Sequence, residues 1–251
     1  MTPHDWNAPD YDRTNAGIIA LGREVLDRLP LKGDETVLDA GCGTGAVTQL
    51  IAELVPDGHV IALDASTRMV EFARSRFAGS EIVEVVQADL NELDLDERKV
   101  DAVLSTATFH WIHDHAALWR NLRAAMQDGA PLAAQYGGAG NIASVLAVVE
   151  PLLEREPYAE YLAGFTPHNF VGPEETEALM HAAGFAEVRA WLEPRPVYPE
   201  DIGKHLREVI LGAHAERMPA EIFEAFATEI DAALGTRDSV DYVRLNVEAR
   251  A

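Results

Sequence analysis

Ile18, Ile19, Leu21, Val25, Leu26 and Leu29 recur at close to a helical period and predict a helix over residues 15–29. Thr36-Val37-Leu38 follows as a short apolar run ending in Asp39, the pattern of a buried strand. Gly41-Cys42-Gly43-Thr44-Gly45 then reads as a tight turn. Val47, Leu50, Ile51, Leu54 and Val55 mark one face of a second helix, stopped before Pro56. His59–Leu63 predict the next strand, closed by Asp64. Ser66 is the expected N-cap of a helix through Phe77, with Gly79 just past its end. Ile82–Val86 predict a third strand ending near Ala88-Asp89. Ala102–Leu104 predict a fourth, leading into Phe109-His110-Trp111. Asp114 is placed to cap a helix running to Gln127, and Leu132–Tyr136 predict a fifth strand. Strand and helix alternate throughout, which argues for an open parallel sheet covered on both faces.

The second half changes character. Gly137-Gly138-Ala139-Gly140 reads as a flexible joint, followed by a helical pattern that Pro151 interrupts. Pro173 opens a short helix that Gly184 ends. Glu187–Leu192 predict a sixth strand. Residues 199–235 hold two helical patterns split by Pro219, and His205 shares a face with Ile202, Leu206 and Val209, which points it inward. Val243, Leu245, Val247 and Ala249 alternate with polar residues, marking a last strand. The expected organisation is a cofactor-binding core over 1–136, its continuation with a helical insertion over 137–198, a helical cap over 199–235 and the final core strand within 236–251.

Composition narrows the class. At 48% hydrophobic, the 251-residue chain has enough apolar surface for a sizeable core, which excludes general disorder. No apolar run approaches the ~20 residues of a membrane span. The first residues lack the basic and apolar regions of a signal peptide, and the single cysteine, Cys42, suits a reducing compartment, so a cytoplasmic location is expected. The 42 acids against 20 bases leave a net charge of −22. That field repels polyphosphate and anionic lipid, so neither nucleic acid nor a membrane surface is an expected partner; a small molecule is. The sequence carries no indication of oligomeric state.

Asp39-Ala40-Gly41-Cys42-Gly43-Thr44-Gly45 joins a buried strand to a helix. Glycines there permit a sharp turn and close approach of a ligand to the backbone, and a helix N-terminus offers N–H groups to an anion. Asp64, at the end of the next strand, is placed to accept both hydroxyls of a ribose. This constellation predicts an adenosine-containing cofactor. Gly41-x-Gly43-x-x-Ala46 satisfies the degenerate dinucleotide fingerprint. Asp39, however, suits a cationic ligand better than a pyrophosphate, and no Tyr-x-x-x-Lys pair of the short-chain reductases occurs.

Val37-Leu38-Asp39-Ala40-Gly41-Cys42-Gly43-Thr44-Gly45 closely resembles the first motif of class I S-adenosylmethionine (SAM)-dependent methyltransferases. The resemblance implies a Rossmann-like α/β fold: a seven-stranded, mostly parallel sheet with helices on both faces, its last strand antiparallel, and a helical cap. It implies SAM as cofactor, with Asp39, Gly41 and Gly43 at the methionine end and Asp64 on the ribose. Asp89 would accept from the adenine amino group beside Ala88 and Leu90, Ala65 and Met69 would pack on the adenine, and Thr106 would border the sulfonium.

Asp5-Trp6-Asn7, Tyr11 and the run Phe109-His110-Trp111-Ile112-His113-Asp114-His115 further resemble trans-aconitate methyltransferases and related small-carboxylate methyltransferases, including juvenile-hormone-acid and malonyl-carrier-protein types. The resemblance covers about residues 5–136. The chain departs from the pattern at Asp128-Gly129, where the relatives often have Pro-Gly, and at Thr106, where they often carry Asn. It implies O-methylation of a small carboxylate, with His110 as an orienting group or base and Tyr11, Trp111 and His205 as substrate contacts. The alternatives are methylation of a phenolic, amine or carbon nucleophile, or SAM binding without catalysis. No metal site is expected from His110, His113 and His115, which span a strand-to-helix turn.

Overall fold

The structure, a computed structural model, describes residues 16–96 and 98–251. Asp5-Trp6-Asn7 and Tyr11 lie outside the described residues. Seven strands, β1 (Thr36–Ala40), β2 (His59–Asp64), β3 (Val83–Gln87), β4 (Ala102–Thr106), β5 (Pro131–Gly137), β6 (Ala186–Pro194) and β7 (Val243–Arg250), form one sheet in the order β3-β2-β1-β4-β5-β7-β6. The first five run parallel, with Leu38 beside Ile61 on one side and Val103 on the other. At one end of β7 the Gly129 N–H bonds Ala251 O and the Ala251 N–H bonds Ala130 O. At the other end the Gly138 N–H bonds Val243 O, so β7 runs antiparallel to β5. Strand order reverses between β1 and β4, and such a switch point opens a crevice at the carboxyl ends of the strands.

Among the described residues seven helices are longer than two turns: α1 (Ala16–Leu26), α2 (Ala46–Leu54), α3 (Thr67–Arg76), α4 (His115–Ala125), α5 (Ala143–Leu153), α6 (Pro173–Ala182) and α7 (Ala220–Leu234). The central strands read as unbroken apolar runs because both faces are covered. Val37, Val60 and Leu104 pack with Val25, Leu26 and Ile51 of the α1–α2 side, while Leu38, Ile61 and Val103 pack with Leu118, Trp119 and Leu122 of α4.

The chain divides into two compact units. The first holds the described residues up to Tyr136 with Val171–Leu192 and Leu245–Ala251. The second is Gly137–Phe170 with Glu193–Arg244, built on its own core of Val145, Val149, Leu206, Phe226, Ile230 and Val240. The sequence leads one to expect a core continuation with a helical insertion over 137–198 and a cap over 199–235; within the second unit α5 shares its apolar face with α7. Two local expectations change. Pro151 sits in the last turn of α5 without interrupting it, since only the Ala147 carbonyl loses a partner there. Val209 is 41% exposed instead of facing inward with His205. The reason is a π turn over Leu206–Ile210, closed by Leu211 N–H on Leu206 O at 2.8 Å, which inserts one residue into the helical period.

Candidate functional site

The turn after β1 passes through Gly41 (φ 93°), Gly43 (φ 54°) and Gly45 (φ 83°), all left-handed, and Gly45 is the N-cap of α2. Three of the turn's N–H groups are tied to the end of β2. Gly41 N and Cys42 N donate to Leu63 O at 2.8 and 2.9 Å, and Gly43 N donates to Asp64 Oδ2 at 2.9 Å. The other Asp64 oxygen accepts from Ser66 N at 2.9 Å, and Ser66 caps α3 through its bond from Met69 N. Burial pushes the Asp64 carboxyl above the usual carboxylate range, against the opposing pull of these N–H groups. Ala65 is half-buried and Met69 buried beside it.

Asp39 is 1% exposed, and Thr48 Oγ1 donates to its Oδ2 at 2.6 Å. Burial raises its carboxyl to about 7; the Thr48 bond opposes the shift and the Asp64 charge adds to it. The side chain expected at the methionine end of the cofactor is thus buried and held by Thr48. The Cys42 thiol is also buried, and burial raises it well above its ordinary value.

Two side chains that the sequence did not single out tie β4 to this turn. Ser105 Oγ donates to Ala40 O at 2.6 Å, and Thr108 Oγ1 donates to Gly41 O at 3.2 Å and Thr106 O at 3.0 Å. Between them Ala107 adopts φ 56°, a left-handed conformation that a non-glycine residue holds only where its surroundings impose it. From the other side Arg76 donates to Thr44 O at 2.9 Å, and the Phe77 ring closes on Gly45, where a Cβ would meet it at 2.5 Å.

Asp89 follows β3 as the exposed cap of the 3₁₀ turn Leu90–Glu92, accepting from Asn91 N at 2.8 Å. Ala88 is half-buried, with its N–H on Asp64 O, and Leu90 is buried. Thr106 ends β4, half-buried. Gly41, Gly43, Asp64, Ala65, Met69, Ala88, Asp89, Leu90 and Thr106 thus all stand at or just beyond the carboxyl ends of β1–β4, in the first unit.

The 3₁₀ turn Phe109–Trp111 continues from β4. Phe109 is buried edge-on against Trp119 and Tyr136, with ring centroids at 5.3 and 5.4 Å. His110 is 8% exposed, its ring 5.2 Å from that of the half-buried Trp111. His115 turns inward to bond Phe109 O, while His113 is exposed. Among the described residues no group of three or more His, Cys, Asp and Glu is placed to hold a metal. His205 belongs to the second unit, where its Nε2 lies 3.0 Å from Tyr242 Oη; burial lowers the imidazole and raises the Tyr242 hydroxyl to about 12.

Residues 37–129 match a family model described as a methyltransferase domain. A malonyl-[acyl-carrier protein] O-methyltransferase of Acetivibrio thermocellus is 39% identical over 43% of this chain and 38% of its own length. A trans-aconitate 2-methyltransferase of Methylobacterium radiotolerans is 35% identical over 52% of this chain and 49% of its own. The chain therefore spans half the length, or less, of these relatives. Among solved structures, a Haemonchus contortus phosphoethanolamine N-methyltransferase 2 in complex with S-adenosylhomocysteine superposes with a TM-score of 0.63, covering 97% of this chain and 57% of that one at 16% identity, a likeness of fold. Among the described residues no helix is long and apolar enough to cross a membrane.

Proposed function

We propose, from the premise that residues 37–129 are a methyltransferase domain, that this chain is a SAM-dependent methyltransferase acting on a carboxylate oxygen of a small molecule. The observation that carries the reading is the meeting of the three left-handed glycines with Asp64 at the switch point of the sheet. The residues fit the cofactor. A Cβ on Gly43 would meet nothing within 4 Å, so the turn leaves room for a ligand to approach its backbone, and each Asp64 oxygen keeps a lone pair beyond its N–H bond. Gly41, Gly43 and Asp64 would hold the methionine and ribose ends; Ala65, Met69, Ala88, Asp89 and Leu90 the adenine; Thr106 the sulfonium side. Asp39 would act from beneath, setting the turn through Thr48. When bound, SAM supplies an electrophilic methyl carbon.

The carboxylate reading is supported by the two relatives, named malonyl-[acyl-carrier protein] O-methyltransferase and trans-aconitate 2-methyltransferase, and by the His110-Trp111 pair after β4. A carboxylic acid titrates near pH ~4, so the acceptor is already ionised at neutral pH and no base has to remove a proton. The protein's task is then to bring the oxygen to about 3–3.5 Å from the methyl carbon in line and to exclude water. Trp111 supplies a wall for the acceptor and His110 orients it. Calorimetry with SAM, S-adenosylhomocysteine and NAD tests the cofactor half: the first two bind and NAD does not. Tighter binding of NAD would overturn it. A mass-spectrometric screen of small acids with SAM tests the acceptor half.

A further inference from the structure

We infer that His115 is a positioning residue for the acceptor side of the site, holding the Phe109–Trp111 turn through the Phe109 carbonyl. The inference rests on the proposed function in one respect, that this turn faces the methyl acceptor.

His115 opens α4 directly after its N-cap, Asp114, whose Oδ1 accepts from Ala117 N at 2.8 Å. Its ring is 3% exposed and stands edge-on to Trp119 and Tyr136, centroids 6.2 and 6.0 Å away. Nε2 lies 2.9 Å from Phe109 O. A carbonyl only accepts, so Nε2 carries the proton, and burial in an aromatic pocket favours the neutral ring. Nδ1 is then a bare acceptor, and it has no hydrogen-bond partner among the described residues. Burying such an atom costs stability, and a leucine or methionine would fill the same pocket without it. The histidine's polar contribution is the hold on Phe109.

That hold acts where the backbone needs it. Phe109–Trp111 is a single 3₁₀ turn, whose own bonds are Trp111 N to Thr108 O at 3.0 Å and Ile112 N to Phe109 O at 3.1 Å. It directly follows the left-handed Ala107 and Thr108, which is tied to Gly41. Thr108 holds the backbone just before this turn and His115 holds its first residue through Phe109 O, with His110 and Trp111 directly following.

The test compares H115Q with H115M in the full chain: side chains of like length, with and without an N–H donor. H115L, closer in shape to the imidazole, is the donor-free variant should H115M not fold. In the donor-free variant, hydrogen exchange over residues 109–113 speeds at least tenfold and kcat/KM for the acceptor falls at least tenfold, while SAM affinity stays within twofold. H115Q recovers most of both. Equal behaviour of the donor and donor-free variants would overturn the inference, as would loss of SAM binding in step with turnover, which marks a general structural role. The exchange readout needs no substrate. If the wild type methylates no acid, the proposed function falls, and equal exchange in H115Q and the donor-free variant still decides against the hold on the turn.

Discussion

Thr108 reaches back over Gly41: its hydroxyl donates to the Gly41 carbonyl at 3.2 Å, and a Cβ on Gly41 would lie 2.6 Å from the Thr108 Cβ and closer still to its Oγ1 and Cγ2. The first glycine of the turn is therefore required twice, by its φ of 93° and by a neighbour 67 residues along the chain. G41A should destabilise the fold by more than about 1 kcal/mol. That is at least ~2–4 °C in thermal midpoint for a chain of this size. T108A in the same background should not restore it, because the backbone conformation and the Cβ–Cβ approach remain. Full recovery in the double variant would show that side-chain crowding alone excludes alanine.

Asp64 links the glycine turn to the start of α3 through Gly43 N and Ser66 N. D64A should weaken cofactor binding by about 1.5–3 kcal/mol, the scale of charged hydrogen bonds, and should lower stability as well by leaving two N–H groups without their acceptor. Calorimetry below the variant's melting range separates the two effects. Unchanged affinity would move the ribose away from this carboxylate.

Asp39 makes a pH signature. Its carboxyl rises from 3.8 to about 7 in the folded chain, chiefly through burial. The native state thus holds this proton over a range where the unfolded state has released it. Stability from this group is fully present below about pH 4 and is lost as pH rises to about 7. D39N keeps an acceptor for Thr48 and has no charge to bury, so it should be more stable than wild type at pH 8, with the gain vanishing towards pH 4. Parallel stability–pH curves from chemical denaturation would contradict the assignment.

His214 acts in the opposite sense. Packed between Phe165 and Phe226, with centroids at 5.4 and 5.8 Å, it is pushed by burial from 6.5 to about 4. As pH falls from about 6.5 to 4 the unfolded chain takes up a proton that the native chain refuses, and stability is lost. H214L should flatten the stability curve over that window. Because Asp39 and His214 pull in opposite directions between pH 4 and 6.5, each is read from its own variant.

Much of the sheet was legible along the chain, as was the place of the cofactor-side candidates at its carboxyl edge. β1 and β2, buried on both faces, run apolar up to a polar residue on the carboxyl edge, which marked Asp39 and Asp64 together with the glycine turn. Ser105 and Thr108 carried no such mark, since their partners Ala40 and Gly41 lie 65 and 67 residues earlier. The apolar face of α5 looks the same whether it meets a sheet or α7; periodicity records that a face is buried, not against what. The π turn after His205 escaped because one inserted residue leaves the apolar pattern helical while moving Val209 to the surface. The inward turn of His115 left no mark in the sequence, since nothing local places its ring against Phe109 O.

The central claim, methyl transfer from SAM to a carboxylate oxygen, is tested most directly by single-turnover methylation of a small acid with labelled SAM across pH 6–9, with the product then treated with mild base. An acceptor ionised throughout this range predicts a chemical rate nearly independent of pH and a product that releases its label as an ester does. A base-stable product, or a rate that climbs with pH as a phenol or amine acceptor loses its proton, would contradict it.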